Sequence, residues 1–161
     1  MKETIVDVAD MKISSMVNEV LVAPSLGSCV ALSIYDPKLL AGGILIFMLP
    51  KISDVNFPKA DRFPYMFGDT GIPAFLEAIE DYGLNKKNFQ IAIAGGGQIS
   101  GQQESFDIGQ RNCNIAKELI TAAGLSIQYE DIGGVYNRTL QLYLDGGRVQ
   151  ILSAGQEVHP L

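Results

Sequence analysis

"LLAGGILIFMLP", Leu39 to Pro50, is the longest strongly apolar stretch of the chain, and whether it crosses a membrane or fills a core decides the fold. It is about half of the ~20 residues that a bilayer crossing needs, and it reads as a buried strand. Upstream, "PSLGSCVALSIYD" (Pro24–Asp36) gives a second apolar, β-prone run after a Gly-Ser-Cys turn. Downstream, "YLDGGRVQIL" (Tyr143–Leu152) sets Asp145-Gly146-Gly147 between two further runs. That is the strongest hairpin signal present, because glycine accepts the positive φ of tight turns.

Working outward, runs bounded by Gly, Pro and Asp predict strands near Glu19–Ala23, Cys29–Tyr35, Gly43–Leu49, Phe89–Ala94, Leu125–Glu130, Leu140–Leu144 and Val149–Leu152. Two segments carry helical period. Ile72, Phe75, Leu76 and Ile79 lie between Asp69 and Gly83, with Asp69 or Thr70 available as a cap, and Ile115, Ala116, Leu119, Ile120 and Ala123 end at Gly124. The expectation is an α/β or layered α+β fold: mixed β-sheets packed with two main helices, in a single domain of residues 1–161. Lys51 to Gly68 has no period and reads as a long loop and candidate contact surface.

Composition narrows the function. Of 161 residues 47% are hydrophobic and 19% charged, and the formal net charge is −6 without a lysine/arginine cluster, so nucleic acid and anionic membrane are not expected partners. The N-terminal segment is too acidic and too broken in its apolarity for a signal peptide, which makes the cytoplasm the expected location. Cys29 and Cys113 are the two cysteines, and they read as free thiols of a reducing compartment. With a single histidine, His159, and no cysteine pair at ligand spacing, neither metal nor cofactor is expected.

Cys29 follows Gly27 and Ser28, whose backbone can turn tightly and present amides to a developing oxyanion; this suits a nucleophilic thiol. Free cysteine is also a common, inert core residue, and on spacing alone that reading prevails. "AGGGQIS" (Ala94–Ser100) completes no phosphate-loop motif and reads as a turn at a strand end, with Gly95, Gly96 and Gly97 shaping a cleft. Arg111 and Asn112 are expected near the start of the second helix, where free backbone donors help hold an anionic or amide ligand, or else as ordinary solvated side chains. Cys113 is assigned to packing.

The stretches "LGSCVALSIYDP" (Leu26–Pro37), "AGGILIFMLP" (Ala41–Pro50), "IAGGG" (Ile93–Gly97), "IGQRN" (Ile108–Asn112) and "EDIGGVYNR" (Glu130–Arg138) resemble, in order and spacing, the CheD family of chemoreceptor glutamine deamidases. The resemblance implies a cytoplasmic protein that hydrolyses receptor glutamine side chains through a thioester on Cys29. It also implies a CheC-like phosphatase as partner, beside the chemoreceptor helices themselves. Two further positions depart from that pattern: the histidine expected four residues before Pro50 is Ile46, and the threonine expected six residues before Cys29 is Ala23.

A Cys–His pair is then left with His159, in a tail expected to be frayed and solvated. Without an imidazolium partner the thiol keeps a pKa of about 8.5 or more, and general acid–base help worth about 10²- to 10⁴-fold is lost. The sequence therefore points to a binding protein with weakened or lost deamidase activity. An active deamidase using His159 is the alternative, and a redox-sensing Cys29 ranks third.

Overall fold

The computed structural model describes residues 1–56, 58–98 and 107–153, and the backbone of 156–160. Among these, two five-stranded sheets form. The first has the order β1-β3-β8-β9-β10, from Lys2–Ile5, Glu19–Leu26, Arg138–Tyr143, Val149–Ser153 and Gln156–Pro160. The second has the order β2-β5-β4-β6-β7, from Asp10–Ser14, Ala41–Phe47, Val30–Asp36, Gln90–Gly95 and Tyr129–Ile132. Both are mixed: β1 with β3 and β6 with β7 run parallel, and the remaining pairs run antiparallel.

Every residue of β4 and β5 is buried, because this central pair is covered on both faces. Val30, Leu32, Ile34, Leu45 and Phe47 face the helices α1 (Gly68–Tyr82) and α2 (Ile108–Ala122) with Ile72, Phe75, Ile79 and Ile120. Ala31, Tyr35, Ile44 and Ile46 face the first sheet with Leu21, Ala23, Leu140 and Leu142. The layers are therefore helices, second sheet, first sheet, a layered α+β arrangement as the strand and helix patterns predict. The first sheet is wet on its far side, so β8 alternates buried and half-exposed residues.

Several expectations are corrected. Residues 2–5 and 10–14 form edge strands that carry no continuous apolar run. The tail read as frayed pairs with β9 as an edge strand, Gln156 opposite Ser153 and His159 opposite Ile151. The strand expected over 125–130 starts only at Tyr129, because Leu125 still bonds back to the Ile120 carbonyl across Gly124. Neither Asp69 nor Thr70 caps α1: Asp69 accepts from the Ile52 amide and Thr70 donates to the Pro64 carbonyl, both tying down the preceding loop. That loop, read as irregular, holds three short 3₁₀ turns at Ile52–Asp54, Ala60–Arg62 and Pro64–Met66. The hairpin at 145–147 joins β8 and β9 with Gly147 at φ +84.

Candidate functional site

The chain leaves the first sheet at Leu26 and enters the second at Val30, so Gly27, Ser28 and Cys29 bridge the two layers at one end of the space between them. Three successive carbonyls fix this bridge. Gly27 accepts from the Gly97 amide at 2.9 Å, Cys29 from the Gly96 amide at 2.9 Å, and Ser28 from the Asn112 side-chain amide at 2.9 Å. Gly95 at φ +115 and Gly96 at φ +64 are needed here. A side chain at Gly95 would run into the Cys29 carbonyl and one at Gly96 into the Cys113 sulfur.

Register then determines what surrounds the thiol. Val30 pairs with Phe47 on one side and with Gly95 on the other. Carried one residue outward, Cys29 stands opposite Met48 and Gly96, with Ile46 diagonal to it on the same face, roughly 7 Å away between backbones and within reach of a long side chain. Ile46 is 0% exposed and Ala23, across the gap on β3, is also 0% exposed; both belong to the apolar cluster against which half-buried Cys29 packs. The two positions at which the resemblance implies polar groups thus belong to the cluster that Cys29 packs against, and they are hydrocarbon.

The electrostatics follow. Burial pushes the Cys29 thiol up from its ordinary value, its own backbone N–H pulls it down by less, and among the described residues no charged side chain acts on it. Cys113, packed on the helix side of the second sheet, is pushed up to about 11 by burial. The described residues hold no cluster of three His, Cys, Asp or Glu side chains that would bind a metal ion.

The remaining candidates sit as follows. Helix α2 begins at Ile108, earlier than expected, with Asp107 accepting from the Gln110 amide. The Arg111 amide is therefore already bonded to the Asp107 carbonyl and is not a free donor. The Arg111 side chain pairs with Asp54 at 2.8 Å and ties α2 to the 51–68 loop. Asn112 is 0% exposed, and its amide clamps the Ser28 and Met48 carbonyls at 2.9 Å each. Gly95, Gly96 and Gly97 are buried behind the bridge. The backbone of His159 lies three strands from β3 along the row Ala23, Leu140, Ile151, His159; its side chain lies outside the described residues.

Sequence reasoning missed Met48, which is 36% exposed, follows the Val30–Phe47 pair by one residue and accepts from the Asn112 amide through its carbonyl. It lies in one of the quoted motifs, but only the register shows its place. At the neighbouring corner Arg138, 1% exposed, pairs with Asp131 at 2.7 Å and also donates to the carbonyls of Asp131, Gly133 and Tyr136. It holds the 131–136 turn closed.

Residues 48–153 match the family model described as CheD chemotactic sensory transduction. The chain belongs to the CheD family. It is 38% identical over 161 residues to "Probable chemoreceptor glutamine deamidase CheD 1" of Syntrophus aciditrophicus, covering 100% of both chains. It is 38% identical over 157 residues to a protein named "Probable chemoreceptor glutamine deamidase CheD" from Solibacter usitatus, covering 98% of this chain and 92% of that one. To "Probable chemoreceptor glutamine deamidase CheD 2" of Anaeromyxobacter dehalogenans it is 37% identical over 156 residues, 97% of each chain. The matched family segment starts two residues after Ile46, whereas the relatives cover 97–100% of the chain. No helix among the described residues is long and apolar enough to cross a membrane.

Proposed function

We propose that this CheD-family chain is a cytoplasmic chemotaxis protein that binds chemoreceptor helices, or a CheC-like phosphatase presenting a similar surface, and that its glutamine deamidase activity is lost or greatly weakened. The observation that carries this reading is the hydrocarbon pairing of fully buried Ile46 and Ala23 around Cys29.

Deamidation through a thioester needs a thiolate to attack the glutamine side-chain carbonyl and a proton for the departing ammonia. Burial without a cationic neighbour keeps Cys29 protonated near neutral pH. An aliphatic side chain at position 46 neither accepts the thiol proton nor donates one to the leaving group, which removes a contribution of about 10²- to 10⁴-fold. What remains is a half-buried thiol packed against an apolar cluster, which suits contact with an apolar helix face. The Gly27–Cys29 backbone and the glycines behind it supply shape, and Arg111 and Asn112 hold the surrounding elements rather than a substrate.

The active-enzyme alternative gains one point from the fold, since β10 keeps His159 on an ordered strand. Three strand spacings of ~4.8 Å put that strand about 14 Å from β3, well beyond a hydrogen bond at the backbone level.

The test incubates the purified protein with glutamine-bearing chemoreceptor cytoplasmic domains and reads ammonia release and receptor mass. The expected result is no turnover by the wild type, receptor binding by pull-down, and turnover appearing in Ile46→His or in Ile46→His combined with Ala23→Thr. Wild-type turnover that vanishes in Cys29→Ala would overturn the proposal, and its further loss in His159→Ala would assign the base.

A further inference from the structure

Three turns meet at the end of β4 opposite to Cys29, about 20 Å away along the strand. They join β2 to β3 (15–18), β4 to β5 (37–40) and α1 to β6 (83–89). Hydrogen bonds and register hold them side by side. The buried Asp36 carboxylate accepts from the Lys38 amide at 2.9 Å with one oxygen and from the Asn85 amide at 2.8 Å with the other. Ser14 pairs with Gly42, and the Ser15 hydroxyl meets the hydroxyl of Tyr82, at the end of α1, at 3.1 Å.

This end exposes what a folded chain ordinarily buries. Met16, Val17, Leu39, Leu40 and Tyr82 are five of the twelve large apolar side chains exposed among the described residues, and their grouping, rather than the exposure of any one, calls for a partner. Leu40 adds backbone strain. It stands at φ +52, in the left-handed region that glycine or asparagine adopts far more readily than leucine. With 40% of the residue exposed, packing gives little in return, and an outlier of this kind points to function. The same turns are basic. Lys38, Lys86 and Lys87 are exposed and form no ion pair with a described residue, and the three turns carry no carboxylate. The exposed charges flanking them, the Met1 amine, Lys2 and Arg148 against Glu80, Asp81 and Asp145, cancel in number. In a chain of formal net charge −6 the sign is locally reversed, and the sequence conceals this because the lysines come from separate segments.

We propose that this end of the molecule docks on the anionic surface of a phospholipid bilayer. Leu39 and Leu40 enter the boundary between headgroups and acyl chains, with Met16, Val17 and the Tyr82 ring around them, and the three ammonium groups lie among the headgroup phosphates. The order of the groups favours lipid: aliphatic turn tips with ammonium groups beside them match an apolar layer beneath a charged one. The docking is peripheral and needs no spanning helix. It reverses the expectation from net charge that an anionic membrane is no partner, and it does not depend on what Cys29 does.

Sedimentation of the purified protein with lipid vesicles is the test. The expected result is binding to vesicles of phosphatidylglycerol mixed with phosphatidylcholine, little binding to phosphatidylcholine alone, and release at high salt. Lys86→Gln combined with Lys87→Gln weakens the binding about 25-fold, or about fivefold for each lysine. Leu40→Asn separates docking from folding. It weakens vesicle binding severalfold while raising the Tm, because asparagine accepts the left-handed backbone with less strain. Absence of sedimentation with the anionic vesicles would overturn the proposal, as would a Leu40→Asn protein with a lower Tm and unchanged sedimentation. Should the vesicles not bind while polyglutamate binds and the lysine variant loses it, the surface belongs to an acidic protein and the lipid assignment falls. If Leu40→Asn fails to fold by circular dichroism, the lysine pair, whose side chains are exposed, still decides.

Discussion

Two neighbouring corners of the molecule bury their chemistry in opposite ways. At the 131–138 corner a guanidinium and a carboxylate are both inside, and the guanidinium also serves three carbonyls. At the Cys29 end the half-buried thiol packs against an apolar cluster that includes Ala23, Ala31 and Ile46, and the buried Asn112 amide is turned toward backbone carbonyls. The buried polar groups of the first corner therefore stabilise turns and strand ends, while the cluster against which Cys29 packs is apolar.

The difference is sharpened first by substitution at each corner. Arg138→Met leaves the Asp131 carboxylate inside without its cation and should cost about 3–5 kcal/mol by urea unfolding. Ile46→Val, a smaller change in the apolar wall, should cost only about 0.5–1.5 kcal/mol. A reversal of that order would break the comparison.

Alkaline pH comes next. The folded state holds the Cys113 proton more tightly than the unfolded chain does, because burial raises this thiol from 9.0 to about 11. Its contribution is therefore complete below about pH 9 and is lost as pH rises toward 11, to the extent of roughly 2–3 kcal/mol. Urea midpoints between pH 7 and 10.5 should fall less steeply in Cys113→Ala than in the wild type. Tyr35 and Tyr129, which burial also pushes up, are common to both proteins and cancel in the difference.

Asn112→Leu removes both clamps on the bridge and should cost about 1–3 kcal/mol while making Cys29 react severalfold faster with iodoacetamide. Unchanged labelling would mean that the glycine carbonyl contacts alone hold the bridge. The smallest effect concerns the thiol itself. Wild-type labelling of Cys29 should reach half its maximal rate above pH 9.0, the ordinary thiol value, and Ile46→His should move that midpoint down. A midpoint below neutral in the wild type would reveal a cation next to the sulfur.

The central strands were legible because both of their faces are covered, which makes them near-continuous apolar runs such as "ILIF". The edge strands "KETI", "DMKIS" and "QEVHP" were not, since an edge exposed to water carries charges and needs no apolar run. The thiol, Ile46 and Ala23 were readable as positions through the motif spacing. The Asn112 clamp was not, because its partners Ser28 and Met48 are 84 and 64 residues away in sequence. The start of α2 was misplaced because its cap, Asp107 at φ +41, precedes any apolar period.

The first sheet joins the two ends of the chain: β3, from residues 19–26, pairs with β8, from residues 138–143, and Ala23 meets Leu140. During synthesis, β2, β4, β5 and β6 are all available before the last quarter of the chain has left the ribosome, whereas β3 has no antiparallel neighbour until β8 is made. Such distant pairings close late, after the loop entropy between them has been overcome. The Ala23 side of the cluster that Cys29 packs against is thus expected to close late in folding. A truncated or stalled chain would expose the thiol on a half-built molecule, and the rate at which Cys29 becomes protected from labelling during refolding would time the closing of the first sheet.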